Sequence, residues 1–187
     1  MARLRRAAPA RDQPGFSLFE LVVVIVLVAL LYAFAADRLI VMRAQAERTE
    51  VETTVGAMRS AAGIRVAAHI AKGRADEIRA LAGSNPMDLL SERPQSYKGS
   101  FFGPDPASFE GGQWYFDKRD GSLVYRVRFA DFFRSEQEGP ARLRFALRLD
   151  YTDRNANGRF DEGVDEIHGM RLLEMERYTW LERPKSG

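Results

Sequence analysis

The chain has 187 residues, 45% of them apolar, and a formal net charge of +2, which predicts one ordinary folded domain with an additional segment. The charge is concentrated at the start, because residues 1–15 contain four arginines and one aspartate and so carry a net charge of +3 (4 − 1). The nearly neutral remainder has no electrostatic footprint for nucleic acid, and the lack of cysteine excludes disulfides, thiolate nucleophiles and cysteine metal sites.

An apolar segment, Phe16 to Ala36, follows the basic leader of residues 1–15. As a helix rising about 1.5 Å per residue it would be roughly 32 Å long, which is enough to cross the hydrocarbon core of a bilayer. The arginines before it predict that the leader stays in the cytoplasm and that the rest of the chain lies outside. We therefore expect a single-pass protein with an extracytoplasmic body.

Glu20 is the unusual residue of this segment. An unpaired ionised side chain in hydrocarbon costs roughly 3 kcal/mol, although near the start of a helix it can lie in the headgroup region and next to the positive end of the helix dipole. Hydropathy leaves two interpretations open: an uncut signal anchor, or a secretory signal with the A-x-A triplet Ala33-Phe34-Ala35. Neither interpretation explains Glu20.

Around Glu20 the chain has a basic leader ending in Gly15, then Phe16, a hydroxyl residue at Ser17, and the acid Glu20 before an aliphatic run. This arrangement resembles the N-terminus of type IV pilins and of the pseudopilins of type II secretion. The resemblance implies that prepilin peptidase cleaves between Gly15 and Phe16 and methylates the new Phe16 amine. It further implies that Glu20 of an incoming subunit pairs with the Phe16 amine of a neighbour. Such a pair would fix axial register, because a displaced subunit would bury both charges without compensation.

The helix is predicted to continue from Asp37 to Lys72, since this stretch contains no proline. Gly73 and the Gly-Ser-Asn-Pro sequence of residues 83–86 are stop signals, and a short second helix is predicted at Ala75 to Ala82. Apolar residues at helical spacing predict a stripe that packs on a sheet: Val51, Val55, Met58, Ala62 and Val66.

The second half of the chain has strand patterns. Met87 to Gly112 is rich in Pro, Ser and Gly and is predicted to be a loop covering a sheet edge. Gln113 to Asp117 and Ser122 to Arg128 predict a hairpin with an Asp-Gly turn. Ala141 to Tyr151 and His168 to Trp180 predict a second pair of strands.

These elements predict an α+β fold, in which a long N-terminal helix packs on an antiparallel sheet of about four strands, and the resemblance implies that this fold is pilin-like. The first half of that helix would span the membrane. We expect four parts along the chain: a cleaved leader (1–15), a transmembrane and filament-core helix (16–36), the outer half of the long helix (37–72) and a globular head (73–187).

The connection between the last two predicted strands reads DRNANGRFDEGVD, residues 153–165. Oxygen side chains at alternate positions before a glycine are typical of a calcium loop, because Ca²⁺ binds six to eight oxygens at about 2.5 Å. Val164 stands where an EF-hand has its last glutamate, and the alternative is a turn whose Asn and Gly residues are left-handed. Some pseudopilins hold calcium in a loop of the sheet, so the resemblance favours calcium as the cofactor. The predicted ligands are Asp153, Asn155, Asn157, the carbonyl of Arg159, Asp161 and Asp165.

No catalytic constellation is evident in the sequence. His69 falls beside the helical stripe and His168 near the start of a strand, where packing or surface roles are expected. The serines have no evident base and no Gly-rich phosphate loop occurs. We therefore expect a substrate of prepilin peptidase and not an enzyme.

The resemblance implies a structural subunit of a type IV pilus or a type II secretion pseudopilus, and the unusual head favours a minor subunit. Its partners would be prepilin peptidase, other pilin or pseudopilin subunits and the inner-membrane assembly platform. It would lie in the bacterial inner membrane with its head in the periplasm until it enters the filament, and no nucleic-acid partner is expected. The alternative is a single-pass anchored or secreted periplasmic binding module that prepilin peptidase does not cleave.

Overall fold

A computed structural model describes residues 16–74 and 76–182, without the side chains of Asp37 and Asp76. The chain divides into two compact units, Met1–Ile40 and Val41–Gly187. The first helix, α1, covers Leu18–Ala71 and so contributes residues to both units. This confirms the prediction of a long N-terminal helix.

The described residues of the first unit are helical from Leu18 to Ile40. The apolar part of α1 is long enough, by length and composition, to cross a membrane, and none of its most apolar window is buried. Signal sequences can have the same length and composition. The structure therefore shows only that the N-terminal helix is apolar and long enough to span a membrane.

The second unit buries one stripe of α1 against a sheet. All five residues of the predicted stripe are at most 7% exposed, which confirms the helical spacing of Val51 to Val66. The stripe also extends towards the N-terminus to Glu47 and Ala44, which are both buried. The sheet residues in the same core are Trp114, Phe116, Leu123, Tyr125, Leu143, Phe145, Leu147 and Leu172.

Within the described residues, seven strands and one further helix follow α1. Helix α2 is Asp76–Arg79, which is shorter than the helix predicted at 75–82. The strands are β1 (Tyr97–Phe101), β2 (Trp114–Asp117), β3 (Ser122–Arg126), β4 (Phe133–Ser135), β5 (Arg142–Thr152), β6 (Glu166–Glu174) and β7 (Tyr178–Trp180). Three short 3₁₀ turns lie between them, at Pro86–Leu89, Pro106–Ser108 and Ala130–Phe132.

The main sheet has five strands in the order β1-β2-β3-β5-β6, and β4 pairs with β7 in a second, two-stranded sheet. The predicted hairpin is confirmed, because β2 and β3 are antiparallel with Asp117 opposite Ser122. Its turn contains Gly121 at a φ of 67°, which suits glycine. The second predicted pair is also antiparallel, as β5 and β6.

The predicted sheet of about four antiparallel strands is wrong in one respect, because the sheet is mixed: β1 pairs with β2 in parallel. Strand β1 lies within Met87–Gly112, which was predicted to be a loop. Three of its five residues are exposed and two are half-buried, so this edge strand lacks the alternation of apolar and polar residues by which a strand is predicted.

The prediction of a single strand at His168–Trp180 is also wrong, because the chain forms β6, turns, and then forms β7. Glu176 lies at the interruption, where it accepts hydrogen bonds from Arg144 Nη1 at 2.9 Å and from Gln137 Nε2 at 2.7 Å. These contacts hold the turn, so that β7 pairs with β4 and not with β5.

Two glycines inside α1 have no steric role within the described chain. A Cβ added at Gly56 or Gly63 would meet no atom within 4 Å, and glycine inside a helix costs about 1 kcal/mol relative to alanine. We expect Gly56→Ala and Gly63→Ala each to raise the free energy of unfolding by about 1 kcal/mol, measured by urea unfolding of the full chain in detergent. The matched control is Gly73→Ala, which should lower it because Gly73 has a φ of 67°. A loss of stability at both helical positions would contradict the prediction.

Candidate functional site

The N-terminal turn of α1 is capped by Ser17. Its Oγ accepts a hydrogen bond from the backbone N–H of Glu20 at 3.2 Å, and its carbonyl accepts one from Leu21 N at 3.1 Å. Serine followed three residues later by glutamate is the pattern of a capping box. This role of Ser17 was not predicted from the sequence, although the S-x-x-E spacing of Ser17 and Glu20 indicates it.

Glu20 lies in the first turn of α1 and is exposed. Within the described residues no side chain pairs with its carboxylate. Phe16 is 68% exposed, and apolar side chains from Leu18 to Phe34 are exposed on all faces of the helix. Gly15, the leader and the predicted scissile bond lie outside the described residues. Among the described residues, the site is therefore a carboxylate without an ionic partner near the start of an exposed apolar helix.

Glu47 is a second notable carboxylate, and it belongs to the second unit. It is only 4% exposed although it lies in the apolar stripe of α1. Its Oε1 accepts hydrogen bonds from Tyr125 Oη at 2.9 Å and from Arg128 N at 2.6 Å, and its Oε2 accepts one from Phe129 N at 3.0 Å. One buried side chain thus fastens α1 to the end of β3 and to the segment that follows it.

The environment of Glu47 also affects Tyr125. Burial, together with the neighbouring Glu47 carboxylate, raises the pKa of Tyr125 well above its ordinary value. The hydroxyl therefore stays protonated and donates to Glu47. Glu47 was not predicted to be buried. Its position could have been found by continuing the helical spacing from Val51 towards the N-terminus, since Glu47 lies four residues before Val51 and Ala44 lies three residues before Glu47.

The predicted calcium loop connects β5 and β6 and is held by its own side chains. Asp153 accepts hydrogen bonds from the backbone N–H groups of Asn157 at 3.3 Å and Gly158 at 2.7 Å. Asn155 Oδ1 accepts from Asn157 N at 3.2 Å, and Asn157 Oδ1 accepts from Arg159 N at 2.8 Å. The first four predicted ligand positions therefore lie around one turn of backbone.

Asp161 and Asp165 close the loop. The Nδ2 groups of Asn155 and Asn157 donate to Asp161 Oδ2 at 2.6 and 2.5 Å. Asp165 accepts hydrogen bonds from the backbone of Asp161 at 2.7 Å and of Arg154 at 2.9 Å. The sequence thus brings the predicted ligand side chains together, with two amide groups directed towards Asp161.

The backbone of this loop agrees only in part with the turn considered as the alternative to calcium. Gly158 and Gly163 are left-handed, with φ of 77° and 79°, but the third left-handed residue is Ala156, at 55°, and not an asparagine. The loop is also tied to α2, because Arg79 Nη1 lies 2.8 Å from Glu162 Oε2. Over residues 16–74 and 76–182, no group of three or more His, Cys, Asp or Glu side chains is arranged to hold a metal ion.

The two histidines have different surroundings. His168 Nε2 is 2.7 Å from Thr152 Oγ1 on the neighbouring strand. His69 is largely buried, and its Nδ1 is 3.2 Å from Glu77 Oε2 without hydrogen-bond geometry. Each imidazole thus lies next to a polar side chain of another element, Thr152 of β5 or Glu77 of α2.

Comparisons with known proteins add no relative: no family model, no curated protein and no solved structure matches the chain. The resemblance to pilins therefore depends on the residues at the N-terminus.

Proposed function

We propose that this chain is a structural subunit, of the minor kind, of a type IV pilus or a type II secretion pseudopilus, and not an enzyme. The observation that carries the proposal is the spacing of Gly15, Phe16, Ser17 and Glu20 at the start of an apolar helix. A serine cap and a glutamate that has no pair among the described residues suit, on such a helix, a subunit that is first held in a membrane and later packed among other helices.

The apolar surface of α1 supports the proposal. Exposed apolar side chains on all faces of a helix are costly in water, whereas they are stable in lipid or against other helices. The buried residues of the second unit begin at Ala44, so its core does not include the apolar residues 16–36. That segment is therefore available for a bilayer and afterwards for a filament core.

The proposed role of Glu20 follows from its lack of a described partner. Cleavage after Gly15 would create a positive amine at Phe16, and a carboxylate and an amine stabilise each other in an apolar core only when both are present. In the proposed cycle, prepilin peptidase makes and methylates this amine at the cytoplasmic face of the inner membrane. The head lies in the periplasm, and the assembly platform transfers the subunit to a filament of pilin or pseudopilin subunits.

Mass spectrometry of the N-terminal peptide tests this proposal when the chain is expressed together with a prepilin peptidase. We expect a mature protein of 172 residues (187 − 15) that begins with N-methylated Phe16. Gly15→Val should prevent processing, whereas Glu20→Gln should leave it intact because it lies beyond the scissile bond. An N-terminus at Ala36 would contradict the proposal and indicate ordinary secretion. An intact Met1 in the unsubstituted protein would indicate the alternative, an anchored periplasmic module.

We also propose that the loop of residues 153–165 binds calcium. Its donor set fits this hard cation, since Asp153, Asp161 and Asp165 supply carboxylates and the carbonyl of Arg159 supplies a further oxygen. Asn155 and Asn157 now direct amide nitrogens at Asp161, and each would have to turn to present its oxygen.

A thermal unfolding experiment on the full chain in detergent tests the calcium proposal. Calcium at ten times its Kd should stabilise the folded state by about 1.4 kcal/mol, and extracellular calcium sites have Kd values of about 0.1–1 mM. We therefore expect a higher Tm in about 10 mM CaCl₂ than in MgCl₂ of the same concentration. Asp161→Ala should abolish the difference, whereas an equal Tm in both salts for the unsubstituted chain would contradict a calcium site.

A further inference from the structure

Strand β6 forms one edge of the five-stranded sheet, and β5 is its neighbour. Met175 N donates to Arg144 O at 3.0 Å, and the preceding pair of the ladder is Glu174 opposite Phe145. In an antiparallel ladder, pairs whose backbone groups bond to each other alternate with pairs whose backbone groups point away from each other. The backbone groups of Arg171 and Leu173 then point towards β5. Those of Met170, Leu172 and Glu174 point outward, and no described backbone group pairs with them.

The outward edge of β6 borders an open cavity of about 380 Å³. Arg59 of α1 lines one side, and Met170 to Leu173 line the other. Leu173 is 44% exposed. Arg59 Nη2 lies 3.6 Å from Glu174 Oε1, which is too long for a hydrogen bond, so the guanidinium has unused donors. The edge thus offers backbone hydrogen bonds, apolar contacts and a cation.

We propose that this edge pairs with the same edge of a second copy of the chain, as antiparallel strands centred on Leu172. Strand addition to an exposed edge is a common mode of recognition, in which backbone hydrogen bonds supply affinity. Because a twofold interface uses the same surface on both partners, the edge must be complementary to itself.

The charges of β6 select the register of this pairing. A pairing centred on Leu172 places Met170 opposite Glu174 of the second copy and Arg171 opposite its Leu173. Met170 lines the same cavity as Arg59, so this register directs the Glu174 of the second copy to the cavity that holds this cation, which supplies charge complementarity. A pairing centred on Arg171 would instead oppose two guanidinium groups, which is destabilising.

The length of the regular edge supports the same register. The β5–β6 ladder is irregular where Asp150 and Tyr151 pair with Gly169 and Ile167, so the regular edge runs from Met170 to Glu174. A pairing centred on Leu172 uses all five of these residues. One centred on Leu173 would use only three, and would bury less apolar surface.

Cysteine cross-linking tests the proposal cleanly, because the chain has no cysteine. Full-length chains carrying Arg171→Cys and Leu173→Cys, with different tags, are mixed in detergent and oxidised mildly. The proposed register places these positions opposite each other, at a spacing that a disulfide can bridge. The control replaces one chain with Phe102→Cys, which is exposed and lies just beyond β1, at the other edge of the sheet. We expect about tenfold more cross-linked heterodimer than in the control, which corresponds to about 1.4 kcal/mol.

Glu174→Pro provides the second variant. Proline removes an outward N–H that takes no part in the β5 ladder. It also removes the acceptor of the exposed hydrogen bond from Tyr178 Oη to Glu174 Oε1 at 3.1 Å, and the net contribution of such a bond to stability is small. We therefore expect a Tm lowered by only a few degrees, together with a large loss of cross-linking between Arg171→Cys and Leu173→Cys. Cross-linking at the control level, or cross-linking that survives Glu174→Pro in a folded chain, would overturn the proposal. The experiment needs neither cleavage after Gly15 nor filament assembly, so its outcome is independent of the proposed function.

Discussion

Glu47→Ala is expected to lower the free energy of unfolding of the second unit by about 3–5 kcal/mol. The substitution removes the acceptor of three hydrogen bonds, those from Tyr125 Oη, Arg128 N and Phe129 N. A buried donor left without a partner costs about 1–3 kcal/mol. The measurement is urea unfolding of the full chain in detergent, followed by tryptophan fluorescence, because Trp114 and Trp180 both lie in the second unit.

Matched substitutions separate the hydrogen bonds of Glu47 from general effects on the helix. Glu50→Ala, at an exposed position of the same helix, should change stability by no more than about 0.5 kcal/mol. Glu47→Gln should have an intermediate effect, because the amide keeps one acceptor but turns a donor towards one of the three donors. If Glu47→Ala changed stability as little as Glu50→Ala, the carboxylate would not fasten α1 to the sheet.

The parts of the fold that were predicted correctly depend on local periodicity. Val51, Val55 and Met58 recur at helical spacing because one face of α1 must meet the sheet, and this requirement is visible in the sequence. The hairpin of β2 and β3 was equally visible, since an Asp-Gly turn joins two strands that are adjacent in the chain.

The parts that were missed depend on contacts between distant segments. Strand β1 pairs with β2 in parallel, and a parallel neighbour joined by a loop has no turn signal to identify it. Strand β7 leaves the main sheet because Glu176 is held by Arg144 and Gln137, which lie more than 30 positions away in sequence. No pattern within β7 itself distinguishes pairing with β4 from pairing with β5.

The candidate sites show the same limit. The spacing from Asp153 to Asp165 predicted a calcium loop, and its side chains are joined by hydrogen bonds in the structure, since Asx turns follow from local sequence. It could not indicate that Asn155 and Asn157 turn their amides towards Asp161. Glu47 was missed because a glutamate is normally assigned to the exposed face of a helix, whereas its three donors belong to residues about 80 positions later.

Glu20→Ala is expected to leave the chain processed but to reduce its incorporation into filaments about a hundredfold. Without the carboxylate, the Phe16 amine would be buried with no counter-ion, and removal of one partner of a buried ion pair costs about 3–5 kcal/mol. Because 1.4 kcal/mol is a tenfold change, even about 3 kcal/mol corresponds to roughly a hundredfold. The measurement is the amount of the subunit in sheared filaments relative to the amount of mature subunit in membranes.

Ser17→Ala is the control that separates an effect on the start of α1 from the loss of an intermolecular ion pair. It removes the hydroxyl that caps Glu20 N, at a cost of about 1 kcal/mol, but it keeps the carboxylate. If Glu20 serves only the start of α1, as an acid near the helix dipole, Ser17→Ala and Glu20→Ala should reduce incorporation by similar, small factors. If Glu20 pairs with the amine of a neighbouring Phe16, only Glu20→Ala should have the large effect. Equal and small losses would therefore contradict the intermolecular pair while leaving cleavage after Gly15 as a separate question.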